Sequence, residues 1–347
     1  MTKMSKTLKF TCAMALAVAG VAFAGTTAVS AAEEVNIYSY RQPFLIKPFL
    51  DEFTKKSGIK VNVVFVDKGM AKKIESEGQN TKADGILTVD ISRLKESADA
   101  GLLQPIKSEV VQKNIPSYLR DPDGLWIGLT KRVRVIAVAK DRIKPGTIRS
   151  YEDLADPAYK GKICTRPGSH VYNRALVASM IAAHGEEAAE AWAKGVVANL
   201  ARKPQGNDRA QVKAVKEGVC DIALINNYYY GLMKFNKEKP EQQGWADSVY
   251  LVFPNQDGRG THVNISGAGI TKYAKNKDNM VKLLEFLSGE FAQRKYAADN
   301  YEYPANPSVA IDDEIASWGR FKSDEVSLRK ISDLSPAAQK VIDRAGW

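Results

Sequence analysis

The stretch from Asn226 to Met233 reads NNYYYGLM, and its three consecutive phenols, Tyr228, Tyr229 and Tyr230, follow an apolar run, CDIALI, that ends in two asparagines. A phenol has a reference pKa of about 10, so in neutral water it is protonated and a poor ligand. A hard, strongly charged cation inverts this, because its charge stabilises the phenolate and drives the proton off; ferric iron is such a cation. Tyr38, Tyr40 and Tyr172 also fall where strand ends or helix starts are expected. Two blander readings stand beside metal binding: tyrosines packing an interface between lobes, and an aromatic floor under a sugar or a cationic ligand.

Other site chemistry is thinly supplied. The histidines are His170, His184 and His262, too few for a zinc or copper cluster built on imidazole. No G-x-S-x-G elbow, phosphate-binding G-x-x-x-x-G-K-[ST] loop or H-E-x-x-H helix occurs in the chain. The acids of DISRLKESAD have helical spacing and read as a solvated face. A secreted enzyme is therefore the weakest of the functional classes considered.

The first residues carry Lys3, Lys6 and Lys9 but no acid, then a mostly apolar run from Phe10 to Ala24, then small residues. That order predicts a cleaved export signal over residues 1–31, with cleavage after Ala31 and a periplasmic mature chain. Losing those lysines brings the net charge of +10 to about +7, a modest field that favours anionic ligands. The basic residues are dispersed among acids, which argues against a nucleic-acid partner. Cys12 leaves with the signal, and Cys164 and Cys220 remain in an oxidising compartment. A disulfide between them is the favoured reading, with two unpaired buried thiols as the alternative.

These residues must be positioned by a fold, and from Glu34 the pattern alternates between strand and helix. VNIYSY, KVNVVFV and DGILTVD read as strands, with FLIKPFLDEFTKKSG, MAKKIESEG and ISRLKESADAG as the intervening helices. LWIGLTKRVRVIAVAK reads as two consecutive strands leaving one domain for another. A second alternating block ends in VCDIALI, a strand that runs into the tyrosines. The fold class expected is α/β: two lobes, crossing hinge strands and a ligand cleft between them. The first lobe is expected over 32–137 and 268–347, with the C-terminal helices on its outside, and the second over 138–267.

Five segments together resemble the periplasmic ferric-iron-binding proteins of ABC transporters, which are type II periplasmic binding proteins and transferrin-like in form. They are VNIYSYRQ, DPDGLWIGLTKRVRVI, SYEDLADPAYKGKICTRPGSHVYNRAL, GVCDIALINNYYYG and GTHVNISGAGITKYAKN. The resemblance implies iron ligands at Tyr228, Tyr229 and Tyr172, a cleft arginine at Arg132, and the family disulfide at Cys164 and Cys220. Adjacent phenols reach one ion only if the backbone turns between them, which a strand end permits.

The first lobe departs from that pattern. Relatives often have YSSRHY where this chain has YSYRQP, so Gln42 and Pro43 stand at positions that supply His and Tyr ligands. Tyr40 is placed to restore a phenolate from a shifted position. Otherwise carbonate or another anion completes the shell, steadied by Arg132, Arg134 or Arg41 with Gln42 near by. The resemblance implies Fe(3+) as cargo, a monomeric receptor and delivery to a membrane permease. A second reading keeps the fold with a metal-free cargo, such as a small organic anion, a phosphate compound or thiamine.

Overall fold

In a computed structural model of the chain, residues 1–2 and 33–347 are described; the expected export signal lies outside the described residues. Glu33–Trp347 forms one compact unit. Its backbone is a twisted sheet in the order Lys60–Phe65, Glu34–Ser39, Gly85–Thr88, Val263–Thr271, Ile127–Ala139, Ile222–Asn226, Ile163–Cys164. Glu34–Ser39 runs parallel to both its neighbours, as the alternation with helices requires. Val263–Thr271 then pairs antiparallel with Gly85–Thr88 on one side and with Ile127–Ala139 on the other.

The two strands expected over LWIGLTKRVRVIAVAK are one continuous strand, Ile127–Ala139. Its one glycine, Gly128, gives an irregularity in the pairing rather than a turn, and Val133, Val135, Ile136 and Val138 favour strand in its second half. Its first half pairs with Val263–Thr271, while Arg134 to Val138 pair with Ile222–Asn226 and Ile136 to Ala139 with Val249–Val252. One strand therefore carries the chain between the two halves of the sheet. Alternation along it puts Arg132 and Arg134 on the same face.

Three apolar cores flank this sheet. The first collects Ile37, Phe49, Leu94, Ile265 and Leu283. The second holds Ile136, Leu176 and Trp192, and the third Val135, Ile225 and Met233. The C-terminal segment departs from expectation in part: Leu328 joins the first core and Leu328–Asp333 packs on Ile91–Asp99, but the last helix, Ser335–Ala345, does not cover the outside of that core. Ile331, Ala338, Val341 and Ile342 are buried in the second core, against the helices Val171–His184 and Glu186–Ala198. The apolar spacing of Ala338, Val341 and Ile342 gives that last helix a stripe to bury, which its charged composition obscured.

Cys164 and Cys220 are disulfide-bonded, with Cα atoms 5.9 Å apart. The bridge lies where the strand Ile163–Cys164 runs beside Ile222–Asn226, so it ties down the strand that leads to the tyrosines.

Candidate metal centre

The tyrosines stand in the first turn of a helix, not at a strand end. The buried strand Ile222–Asn226 hands over directly to the helix Asn227–Lys234, with Asn226 still extended at φ −85° and ψ 139°. Successive helical residues differ in direction by about 100°, so Tyr228 and Tyr229 share a side as strand neighbours would not. Their ring centroids are 4.4 Å apart and the planes tilt by 34°. A helix N-terminus also carries partial positive charge, which favours phenolate there. Tyr230 turns away and packs edge-on against Trp318.

The two asparagines before the tyrosines fix this handover. Asn227 is fully buried; its side-chain oxygen accepts from the Val133 N–H and its amide donates to the Tyr301 carbonyl, both at 2.8 Å. Asn226 accepts from Arg134 at 3.0 Å. Gly231 lets the helix approach closely, since a Cβ there would lie 2.3 Å from the Tyr301 ring and 2.6 Å from Trp318.

Tyr172 comes from the first turn of another helix, Val171–His184, whose N-cap is His170. The next residue, Asn173, is fully buried, and its side-chain oxygen accepts from Arg134 at 2.6 Å. One guanidinium thus links Asn173 to Asn226, and Asp208, 3.3 Å away and fully buried, balances its charge. Arg134 does not face the cleft but sits behind the tyrosines and sets the spacing of the segments that carry them.

The outcome is a Tyr228 hydroxyl that donates to the Tyr172 hydroxyl at 3.1 Å. Arg132 donates to both, at 3.0 Å to Tyr172, and its other terminal nitrogen donates to the Val89 carbonyl. Burial raises the Tyr228 phenol well above its usual range, with Arg132 pulling the other way, and burial raises Tyr229 too. Burial opposes the charge on Arg132, but Tyr172, Tyr228 and Glu302 outweigh it and hold its pKa high. The guanidinium carbons of Arg132 and Arg166 each lie 5.1 Å from the Tyr172 ring centroid, and that of Arg209 lies 4.9 Å from the Tyr229 ring. The Arg132 charge offsets part of the cost that burial puts on a phenolate at Tyr228 and Tyr229.

These groups line a cleft of about 550 Å³ that Tyr40, Arg41, Gln42 and Glu302 also border. Tyr40 accepts from the Met70 N–H at 2.8 Å, and Arg93 lies 3.9 Å above its ring. Tyr38 leaves the cleft for Glu77, to which it donates at 2.9 Å. Arg41 is buried and paired with Glu302 at 2.7 Å, so its charge is already balanced. Gln42 is the N-cap of the helix Pro43–Ser57 but makes no capping bond, and Pro43 occupies the first helical position, which favours proline. No cluster of three or more His, Cys, Asp and Glu suited to a metal occurs among the described residues.

Residues 80–323 match the family model of the bacterial extracellular solute-binding proteins. The chain is 46% identical to iron uptake protein A1 of Synechocystis over 319 residues, covering 91% of this chain and 88% of that protein. It belongs to the ferric iron-binding periplasmic solute-binding proteins. Among solved structures it is similar to Mannheimia haemolytica ferric iron-binding protein A in an open conformation. The TM-score is 0.86 and the identity 49%, over 91% of this chain and 99% of that one. A Trichodesmium protein in complex with iron and citrate ligands aligns with a TM-score of 0.87 and 46% identity, over 90% of this chain and 99% of that one. The fold is thus the mixed α/β fold of periplasmic binding proteins, and the family is one of binding proteins rather than enzymes.

Sequence reasoning missed Arg209 and Glu302. Both belong to the cleft, but one lies in the first turn of the preceding helix, Asp208–Lys216, across the intervening strand, and the other follows the helix Glu290–Asn300. No local pattern joins them to the site.

Proposed function

We propose that this protein is the ferric-iron-binding component of an ABC transporter, with Tyr172, Tyr228 and Tyr229 as its iron ligands. The observation that carries the reading is the hydroxyl pair of Tyr172 and Tyr228, 3.1 Å apart and both bonded to Arg132, with the Tyr229 ring 4.4 Å from that of Tyr228. Three phenolates neutralise a ferric ion and leave about half of an octahedral shell to fill. The first half of the chain offers little for it: Gln42 is neutral, Pro43 has no donor, and the Tyr40 hydroxyl is engaged by Met70. An external ligand, carbonate or another chelating anion, therefore completes the shell. Citrate beside iron in the Trichodesmium relative supports that reading.

Closure of the cleft on the loaded ion would present the receptor to a membrane permease. The export signal read over residues 1–31 makes the working compartment the periplasm, and the mature chain acts as a monomer. The test is a visible absorption titration of iron-stripped protein with ferric citrate, with and without bicarbonate. A phenolate-to-iron charge-transfer band saturating at one ion per chain is the expected result. No band, together with no thermal stabilisation by iron, would overturn the assignment.

A further inference from the structure

The mouth of the cleft is aromatic as well as basic. Phe44 is 68% exposed and Phe235 42% exposed, and both border the same cavity as the tyrosines. Phe44 belongs to the helix Pro43–Ser57, on the side that supplies no ligand, and Phe235 directly follows the tyrosine helix. Phe235 stacks on Tyr301 with centroids 5.6 Å apart and planes 17° from parallel, and Leu45 and Leu232 line the same cavity. A bare ion with carbonate needs neither these rings nor a cleft of about 550 Å³, a volume in the range of small-molecule sites. Exposed phenylalanines on both rims lose their contact with water when an apolar group enters between them or when the rims close on each other.

The cations point the same way. Arg132, Arg134 and Arg41 are committed to the phenols, to Asp208 and to Glu302 respectively. Arg209 has its guanidinium over the Tyr229 ring and, with the exposed Lys237, borders the same mouth. Glu238 and Asp299 border the cavity too, but with Glu302 they are outnumbered by Arg41, Arg132, Arg209 and Lys237, so the lining keeps a small positive excess that favours an anionic ligand.

We propose that the external ligand completing the ferric shell is an aromatic chelator of the catecholate type. Its two adjacent phenolic oxygens would take two positions on the ion, its ring would lie between Phe44 and the Phe235–Tyr301 stack, and its anionic substituent would meet Arg209 and Lys237. Coordination releases the two phenolic protons to solvent, and the iron stays ferric throughout. This rests on the ferric reading above and names the class of complex that the same site takes.

The test loads iron-stripped protein with ferric citrate or with ferric 2,3-dihydroxybenzoate, desalts it and records the visible spectrum. A catecholate-to-iron band, displaced to longer wavelength from the tyrosinate band, should remain with the protein. Phe44→Ala and Phe235→Ala should weaken retention of the catecholate about three- to tenfold each, the worth of a lost aromatic contact, while titration with ferric citrate is unchanged. Loss of the catecholate on desalting, or equal effects of both substitutions on citrate and catecholate loading, would overturn the inference. The second outcome would mean that the rims only meet each other on closure. A missing tyrosinate band in the citrate arm would instead remove the ferric reading and this inference with it.

Discussion

Tyr172 and Tyr228 are 56 residues apart in the chain, yet their hydroxyls lie 3.1 Å from each other. The approach is set from behind by Arg134, which holds the neighbouring Asn173 at 2.6 Å and Asn226 at 3.0 Å. On the proposed ferric reading each phenol is a separate donor to one ion. Tyr172→Phe and Tyr228→Phe should each lower ferric affinity at least about 100-fold, more than the loss of an outer-shell partner. Competition titrations against citrate would show it, and a variant that keeps both affinity and charge-transfer intensity would remove that residue from the ligand set.

Arg134 leads to a different expectation, because it is fully buried and does not border the cleft. Arg134→Met removes the nearer of the two guanidiniums that balance buried Asp208, leaving Arg166 at 3.6 Å, and should destabilise the fold by up to about 3 kcal/mol. It should also weaken iron binding, since the two tyrosine segments lose their common tie. Arg134→Lys restores the charge but not the planar fork, so it should recover more stability than affinity. Urea unfolding and iron titration on the same preparations separate the two effects. Unchanged affinity in the methionine variant would reduce Arg134 to a purely structural role.

Much of this site was legible in sequence, for identifiable reasons. The alternation of strands and helices, the glycine ending the helix Pro43–Ser57 and the two remaining cysteines are local signals, and each predicts its feature directly. The tyrosine helix was hidden because CDIALI carries a strand pattern to its last residue, and the turn into helix depends on Asn226 and Asn227 binding partners far away in the chain. The single strand Ile127–Ala139 read as two because its two halves pair with different neighbours, a tertiary fact. Arg209 reaches Tyr229 only through the packing of one helix beside another.

Iron uptake should release protons. Burial raises the phenols of Tyr228 and Tyr229 in the iron-free protein, so both are protonated at neutral pH. Binding through Tyr228 and Tyr229 should release at least about two protons per ferric ion from the protein, and affinity should fall as pH falls. Calorimetry in buffers of different ionisation enthalpy counts those protons. A release near zero would mean that the phenols stay neutral and that iron is not their ligand.

Acid should also act on the fold itself, through His262. It is fully buried, and burial together with Arg259 and Arg134 pushes its pKa down from 6.5 to about 3. The folded state therefore keeps it neutral while the unfolded chain protonates it. The stability it allows is complete above pH 6.5 and is lost as pH falls towards 3. The loss runs at about 1.4 kcal/mol per pH unit within that window. His170, pushed down to about 3 by burial and by Arg166, titrates in the same direction. Urea midpoints of the iron-free protein at neutral pH and near pH 4.5 should fall less steeply for His262→Gln than for the native chain. Identical slopes would mean that water reaches the imidazole and that acid sensitivity comes from elsewhere.

The disulfide offers a separation of stability from ligation. It closes a loop with a sequence separation of 56, for which chain entropy predicts roughly 4 kcal/mol of stabilisation. Neither cysteine touches the cleft, but the bridge fixes Ile163–Cys164 beside the strand that delivers Tyr228 and Tyr229. Asn226, Asn227 and Arg134 hold those tyrosines independently of the bridge. Replacing both cysteines by alanine should therefore lower the unfolding midpoint sharply while leaving the charge-transfer band and one-to-one iron stoichiometry in place. A band that vanishes in a variant still folded by circular dichroism would show that the bridge, rather than the asparagine and arginine contacts, positions the phenols.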